Sequence, residues 1–168
     1  MNRNISIRIN PGIGLGSMKR VNVGGSEASF GIWYEFLEEV KRIALKYNLV
    51  INRLHTHIGS GTDPEIWKNV AMLSLNFVKE FPEVHILNLG GGFKVARISG
   101  EKATDIRVCG EAIKEEFRCF YNETGRKLAL EIEPGTFLVA NAGAVISKVI
   151  DVKATDKYSF IVVNSGMT

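Results

Sequence analysis

Two histidines, His55 and His57, stand two residues apart in a strand-like stretch, so their side chains share one face. That pattern fits three chemistries: a pair of zinc ligands, one ring packed over a planar cofactor, or a hydrogen-bonded core histidine. Ile58-Gly59-Ser60-Gly61 follows directly. Small residues and a hydroxyl just past a strand let the backbone come close to a phosphate or carboxylate. Gly90-Gly91-Gly92 is a second such place. A turn needs one or two glycines. Three fit backbone N–H groups presented to an anion, or a plain structural loop. Glu131 and Glu133 bracket the end of an otherwise apolar strand, where an unpartnered carboxylate is costly. Glu133, beside Pro134-Gly135, is the better candidate for a functional acid. The alternative is a surface acid at a strand end. Gly12-x-Gly14-x-Gly16 is weaker, because no helix opens directly after it and the dinucleotide fingerprint fails. It reads as a flexible loop.

These residues need elements to hold them. Ile5 to Ile9 alternates apolar and polar residues as a strand does, and ends at Asn10-Pro11-Gly12. Ile32 to Tyr47 has helical spacing, and Leu49 to His55 reads as a second strand. Asp63-Pro64-Glu65 opens a helix to about Glu80, with Asp as N-cap and Pro in the first turn. Val84 to Leu89 is a third strand. A helix from Thr104 to Thr124 follows and stops at Gly125. Lys127 to Ile132 is a fourth strand, and Phe137 to Ala144 a short helix. Val145 to Lys153 and Tyr158 to Asn164 are β-rich with no long helix between them, which puts a boundary near residue 144. Repeated βα units predict a parallel sheet. Every unusual cluster follows the C-terminal end of a strand, the edge where such folds build their sites. A closed (β/α)₈ barrel takes about 250 residues. The expectation is therefore about half of such a barrel over 1–144, then the start of a β-domain over 145–168, within a longer protein.

The 168 residues carry a net charge of +3, and Lys and Arg are scattered, so no phosphate-tracking run points to nucleic acid. A composition 45% hydrophobic and 23% charged excludes a disordered chain. No apolar run approaches the about 20 residues of a membrane span. No signal peptide follows Met1, so a cytoplasmic location is expected. Cys109 and Cys119 fit no zinc spacing and read as two reduced thiols on or beside a helix.

The ordered set Arg8-Ile9-Asn10-Pro11, Ser29-Phe30-Gly31-Ile32, His55-Thr56-His57-Ile58-Gly59-Ser60, Leu89-Gly90-Gly91-Gly92-Phe93, Glu133-Pro134-Gly135, Val139-Ala140-Asn141-Ala142-Gly143 and Asn164-Ser165-Gly166-Met167 spans nearly the whole chain. It resembles the barrel domain of the pyridoxal-phosphate decarboxylases with an alanine-racemase-like barrel. The resemblance implies pyridoxal 5'-phosphate as cofactor. It implies that His57 stacks on the pyridine ring, that Ser60, Gly90, Gly91, Gly92 and Gly135 lie at the cofactor, and that Glu133 pairs with the pyridine nitrogen. It implies an amino-acid substrate, with meso-2,6-diaminopimelate giving L-lysine as the first reading. Carboxynorspermidine, ornithine and arginine are the alternatives. It also implies a homodimer, and the charge pattern and hydropathy predict no nucleic-acid or membrane partner.

Two departures follow. The family's cofactor-bonding lysine falls ahead of anything matching residue 1, so the isolated chain is expected to be inactive. Thr136 stands where the family carries an arginine after Glu-Pro-Gly, and threonine cannot make a two-pronged pair with a carboxylate or phosphate. Two other classes compete. A metal-dependent hydrolase would use His55 and His57 but needs further ligands, and His85 lies at a strand start. No metal is expected. A non-catalytic fragment would bind cofactor or self-associate through open sheet edges and an exposed apolar inner face.

Overall fold

The computed structural model describes residues 3–13, 25–57 and 59–166. They fall into two compact units, Met1–Leu138 and Val139–Thr168. Gly14, Gly16, Ile58 and Met167 of the motifs above lie outside the described residues.

The first unit is built on five strands: β1 (Arg3–Asn10), β2 (Ile32–Trp33), β3 (Leu49–Thr56), β4 (Ile86–Asn88) and β5 (Ala129–Glu131). They form one sheet in the order β2-β1-β3-β4-β5, and every pairing is parallel. Helices α1 (Leu37–Lys46), α2 (Pro64–Lys79) and α3 (Ile106–Thr124) form the crossovers, and short α4 (Gly135–Val139) follows β5. No described helix is long and apolar enough to cross a membrane.

The caps explain the helix ends. The Asp63 carboxylate accepts the Glu65 N–H ahead of Pro64, which opens α2. Asp105 accepts the N–H groups of Arg107 and Val108 at the head of α3, and Gly125 ends α3 with φ 69°. Thr104, expected inside α3, instead lies buried just ahead of the Asp105 cap. The helix expected from Ile32 starts only at Leu37, after a 3₁₀ turn over Tyr34–Phe36. Ile32 and Trp33 pair with Ile9 and Asn10, because extending the sheet satisfies backbone groups on the open side of β1. The last helix sits earlier than expected, at Gly135–Val139, directly behind Pro134.

The two faces of the sheet differ. Ile7, Ile9, Leu54, Leu87 and Leu89 are buried with Val70, Ala71, Leu75 and Val78 of α2 and Ile113 and Phe120 of α3. The opposite face is largely polar, not the apolar inner face that the sequence suggests. Paired positions of parallel strands share a face, and the row there runs Arg8, His55, Asn88, Glu131. One row below run Ser6, Arg53, Ile86 and Ala129. Arg53 Nε donates to Glu131 Oε2 at 2.6 Å, and its Nη1 donates to Ser6 Oγ at 3.2 Å. A largely polar face with internal partners has no hydrophobic reason to be covered.

The second unit is an antiparallel hairpin of β6 (Val149–Ala154) and β7 (Ser159–Val163). Its turn closes through the Thr155 N–H and the Tyr158 carbonyl at 2.8 Å.

Candidate functional site

The ends of β3, β4 and β5 open on one cleft of about 780 Å³. His57, Ser60, Gly91, Gly92, Glu133 and Gly135, all singled out from the sequence, line it together with Thr136. Gly90 lies beneath the lining, buried under the His57 ring.

The glycine run is there for close packing. A Cβ on Gly90 would fall 2.3 Å from His57 Nδ1, and one on Gly92 would fall 2.0 Å from the Gly59 carbonyl oxygen. Gly90 and Gly92 have φ of 73° and 103°, a region that glycine enters without cost. The sequence leaves two readings of the run, N–H groups presented to an anion or a structural loop. Two of the three are spent inside the chain: the Gly90 N–H donates to Asn88 Oδ1 at 2.7 Å, and the Gly91 N–H to His57 Nδ1 at 3.2 Å. The Gly92 carbonyl accepts the Gly61 N–H at 3.1 Å, which ties the loops after β3 and β4 together.

The Gly91 bond also sets the state of His57. A backbone N–H can only donate, so Nδ1 must carry a lone pair, and the neutral ring is protonated at Nε2. Burial pushes the His57 imidazolium below its ordinary range, Arg8 pushes the same way, and Glu133 opposes them. His57 thus offers the cleft a neutral planar ring.

His55 is not among the residues that line the cleft, and its ring centroid lies 6.5 Å from that of His57. Its Nε2 is buried without a hydrogen-bond partner and stands 3.9 Å from Glu133 Oε2. Burial lowers its pKa as well, with Glu133 opposing. Among the described residues no group of three or more His, Cys, Asp and Glu could hold a metal ion. His85 lies at the far end of β4, where its Nδ1 meets the Glu83 carbonyl at 3.2 Å.

Glu133 and Glu131 share the Asn88 amide but differ in their other partners. Glu131 is taken up by Arg53. Glu133 Oε1 accepts a hydrogen bond from Asn88 Nδ2 at 3.0 Å, with its side chain half exposed to the cleft. Asn88 escaped the sequence reading. Its only signal was one amide in the apolar run Ile86-Leu87-Asn88-Leu89. Lys94, Arg97 and Lys102 also line the cleft unforeseen. The Lys94 N–H donates to Thr104 Oγ1 at 2.8 Å, and that hydroxyl donates to the Gly61 carbonyl at 3.0 Å, so this excursion is pinned at its base beside Ser60.

Residues 1–140 match the family model described as "Pyridoxal-dependent decarboxylase, pyridoxal binding domain". The chain belongs to this family. Diaminopimelate decarboxylase of Streptomyces coelicolor is 35% identical over 161 residues, covering 95% of this chain and 37% of that one. A crystal structure of diaminopimelate decarboxylase superposes with a TM-score of 0.80 at 30% identity, over 97% of this chain and 39% of the other. That of Helicobacter pylori complexed with L-lysine gives 0.71 at 27% identity, over 98% of this chain and 41% of the other. The chain thus spans about two fifths of the length of the relatives it matches.

The donor set of this pyridoxal-binding domain fits the cofactor that its family implies. The cleft offers a carboxylate at Glu133, a neutral ring at His57, and hydroxyls and cations at Ser60, Thr62, Lys94, Arg97 and Lys102, with a second carboxylate, Glu101, 3.8 Å from Arg97. These suit, in turn, a protonated ring nitrogen, an aromatic plane and a dianionic phosphate.

Proposed function

We propose that this chain is the cofactor-holding part of a decarboxylase that converts meso-2,6-diaminopimelate to L-lysine. The observation that carries this is the Glu133 carboxylate, held in the cleft by Asn88 beside the neutral ring of His57. The names of the relatives at 34% and 35% identity support that substrate over carboxynorspermidine, ornithine or arginine. The hairpin is read as the start of a β-domain, with the boundary near residue 144. The whole protein is read as a cytoplasmic homodimer without nucleic-acid or membrane partners.

The reaction breaks one C–C bond of the amino acid. Carbon dioxide leaves, and the electron pair left on the α-carbon is later taken up by a proton. Bound pyridoxal phosphate supplies an aromatic ring into which that electron pair spreads. The chain's own residues set the conditions. Glu133 would keep a proton on the ring nitrogen by favouring the charged form. His57 would lie against the ring face without adding charge. Ser60, Gly91, Gly92 and Gly135, with Gly90 beneath them, would hold the phosphate end, and Lys94, Arg97 and Lys102 would add positive charge along the rim. Thr136 leaves that end without the arginine of the family pattern, and the rim cations are the residues at hand to meet an acidic substrate.

The test is a titration of the chain with pyridoxal phosphate, followed by absorbance and by borohydride reduction with peptide mass spectrometry. Saturable binding weakened at least tenfold in Glu133→Gln, without covalent labelling, is the expected result. Stoichiometric labelling of Lys94 or Lys102 would show that the chain carries its own cofactor-bonding lysine. No saturable binding would overturn the cofactor reading and favour an inert, self-associating fragment.

A further inference from the structure

Asn88 ends β4 on the polar face and is 1% exposed. Its amide joins three groups. Nδ2 donates to Glu133 Oε1 at 3.0 Å and to Glu131 Oε2 at 3.3 Å, and Oδ1 accepts the Gly90 N–H at 2.7 Å. The Gly90 bond decides which end of the amide is oxygen, because a backbone N–H requires an acceptor. The NH₂ must then face the two carboxylates, one hydrogen for each.

The carboxylates are not equivalent. Arg53 neutralises Glu131 from below at 2.6 Å. Glu133 reaches into the cleft, and its nearest ring nitrogen, His55 Nε2, is 3.9 Å away and beyond hydrogen-bond range. The charge of Arg8 also acts on Glu133, but a half-exposed glutamate without a hydrogen bond keeps most of its rotamer freedom. The Asn88 bond restrains it, and the same amide fixes the first residue of the glycine turn.

We propose that Asn88 is the positioning residue that sets Glu133 against the ring nitrogen of the cofactor and keeps that carboxylate in register with the glycine turn. This rests on the cofactor reading above. Asn88 acts through Glu133 and touches no reacting atom.

The test compares two ligands on the whole chain: pyridoxal phosphate, and its carbocyclic analogue with CH in place of the ring nitrogen. Only the first can use Glu133. The wild-type chain should prefer pyridoxal phosphate. Asn88→Ala should shrink that preference about tenfold, the worth of one hydrogen bond to a charged group. Asn88→Asp keeps the acceptor for Gly90 and the shape of the side chain, but an ionised carboxylate repels Glu133. It should lose the preference too, with an unchanged circular dichroism spectrum. In a Glu133→Gln background neither change should alter the preference further. Equal weakening of both ligands, an unchanged preference, or a further loss in the Glu133→Gln background would overturn the proposal while the cofactor reading stands. A wild-type chain that binds neither ligand would overturn the cofactor reading and this inference with it.

Discussion

A Cβ on Gly91 would stand 2.2 Å from the carbonyl oxygen of Glu133. The glycine turn after β4 and the Glu-Pro-Gly segment after β5 are in backbone contact, and the absence of one side chain permits it. The Gly91 N–H also holds His57. One backbone residue therefore registers both groups proposed to meet the cofactor ring.

Gly91→Ala should separate the two loops. Relief of an overpacked contact costs about 1–3 kcal/mol. The expected outcome is a lower urea midpoint together with at least a tenfold weaker affinity for pyridoxal phosphate. A variant that binds as tightly as wild type would show that this contact does not shape the site.

Gly110 offers the opposite case. It lies within α3, its φ is not in the left-handed region, and a Cβ there would meet nothing within 4 Å. Gly110→Ala should raise stability by about 1 kcal/mol, because glycine is the poorer helix former. Cofactor affinity should not change.

Stability should depend on the two histidines. Burial is the first cause that lowers the pKa of both His55 and His57 from 6.5. The unfolded chain therefore binds protons at a higher pH than the folded one. The histidine contribution is fully present above about pH 6.5 and is lost as pH falls from there towards the folded-state values. Urea midpoints measured from pH 7.5 down to 5 should fall, and the fall should shrink in His55→Gln/His57→Gln. For His57 the cause is concrete, since a proton on Nδ1 breaks the bond from Gly91.

The thiols should differ sharply. Cys109 is buried in α3, and burial and Asp105 raise its pKa, whereas Cys119 is exposed and both are free. A disulfide-exchange reagent should modify Cys119 within minutes in the folded chain. Cys109 should react only after unfolding. Two fast thiols would contradict the packing of α3 on the sheet.

Much of the fold was legible because its signals are local. Asp63-Pro64 and Gly125 punctuate helices by their own backbone chemistry, and the structure keeps those ends. The spacing of Ile32 and Trp33 allows a helix, but the open side of β1 takes them into the sheet. The clustering of His57, Ser60, Gly91, Gly92, Glu133 and Gly135 was also legible, since parallel strands send all their C-terminal ends to one edge.

By itself the chain's sequence determined the βα rhythm, the edge that carries the cleft and the ordered motifs of the pyridoxal-binding family. Those properties follow from spacing, capping and residue type along the chain. Only the tertiary structure decided that the face away from the helices is polar, that two N–H groups of the glycine run are spent internally, and that Asn88 is the link between Gly90 and Glu133. The physical reason is register. Asn88 meets a carboxylate 45 residues away because β4 and β5 pair at one offset, and a one-residue slip would send that amide to the opposite face.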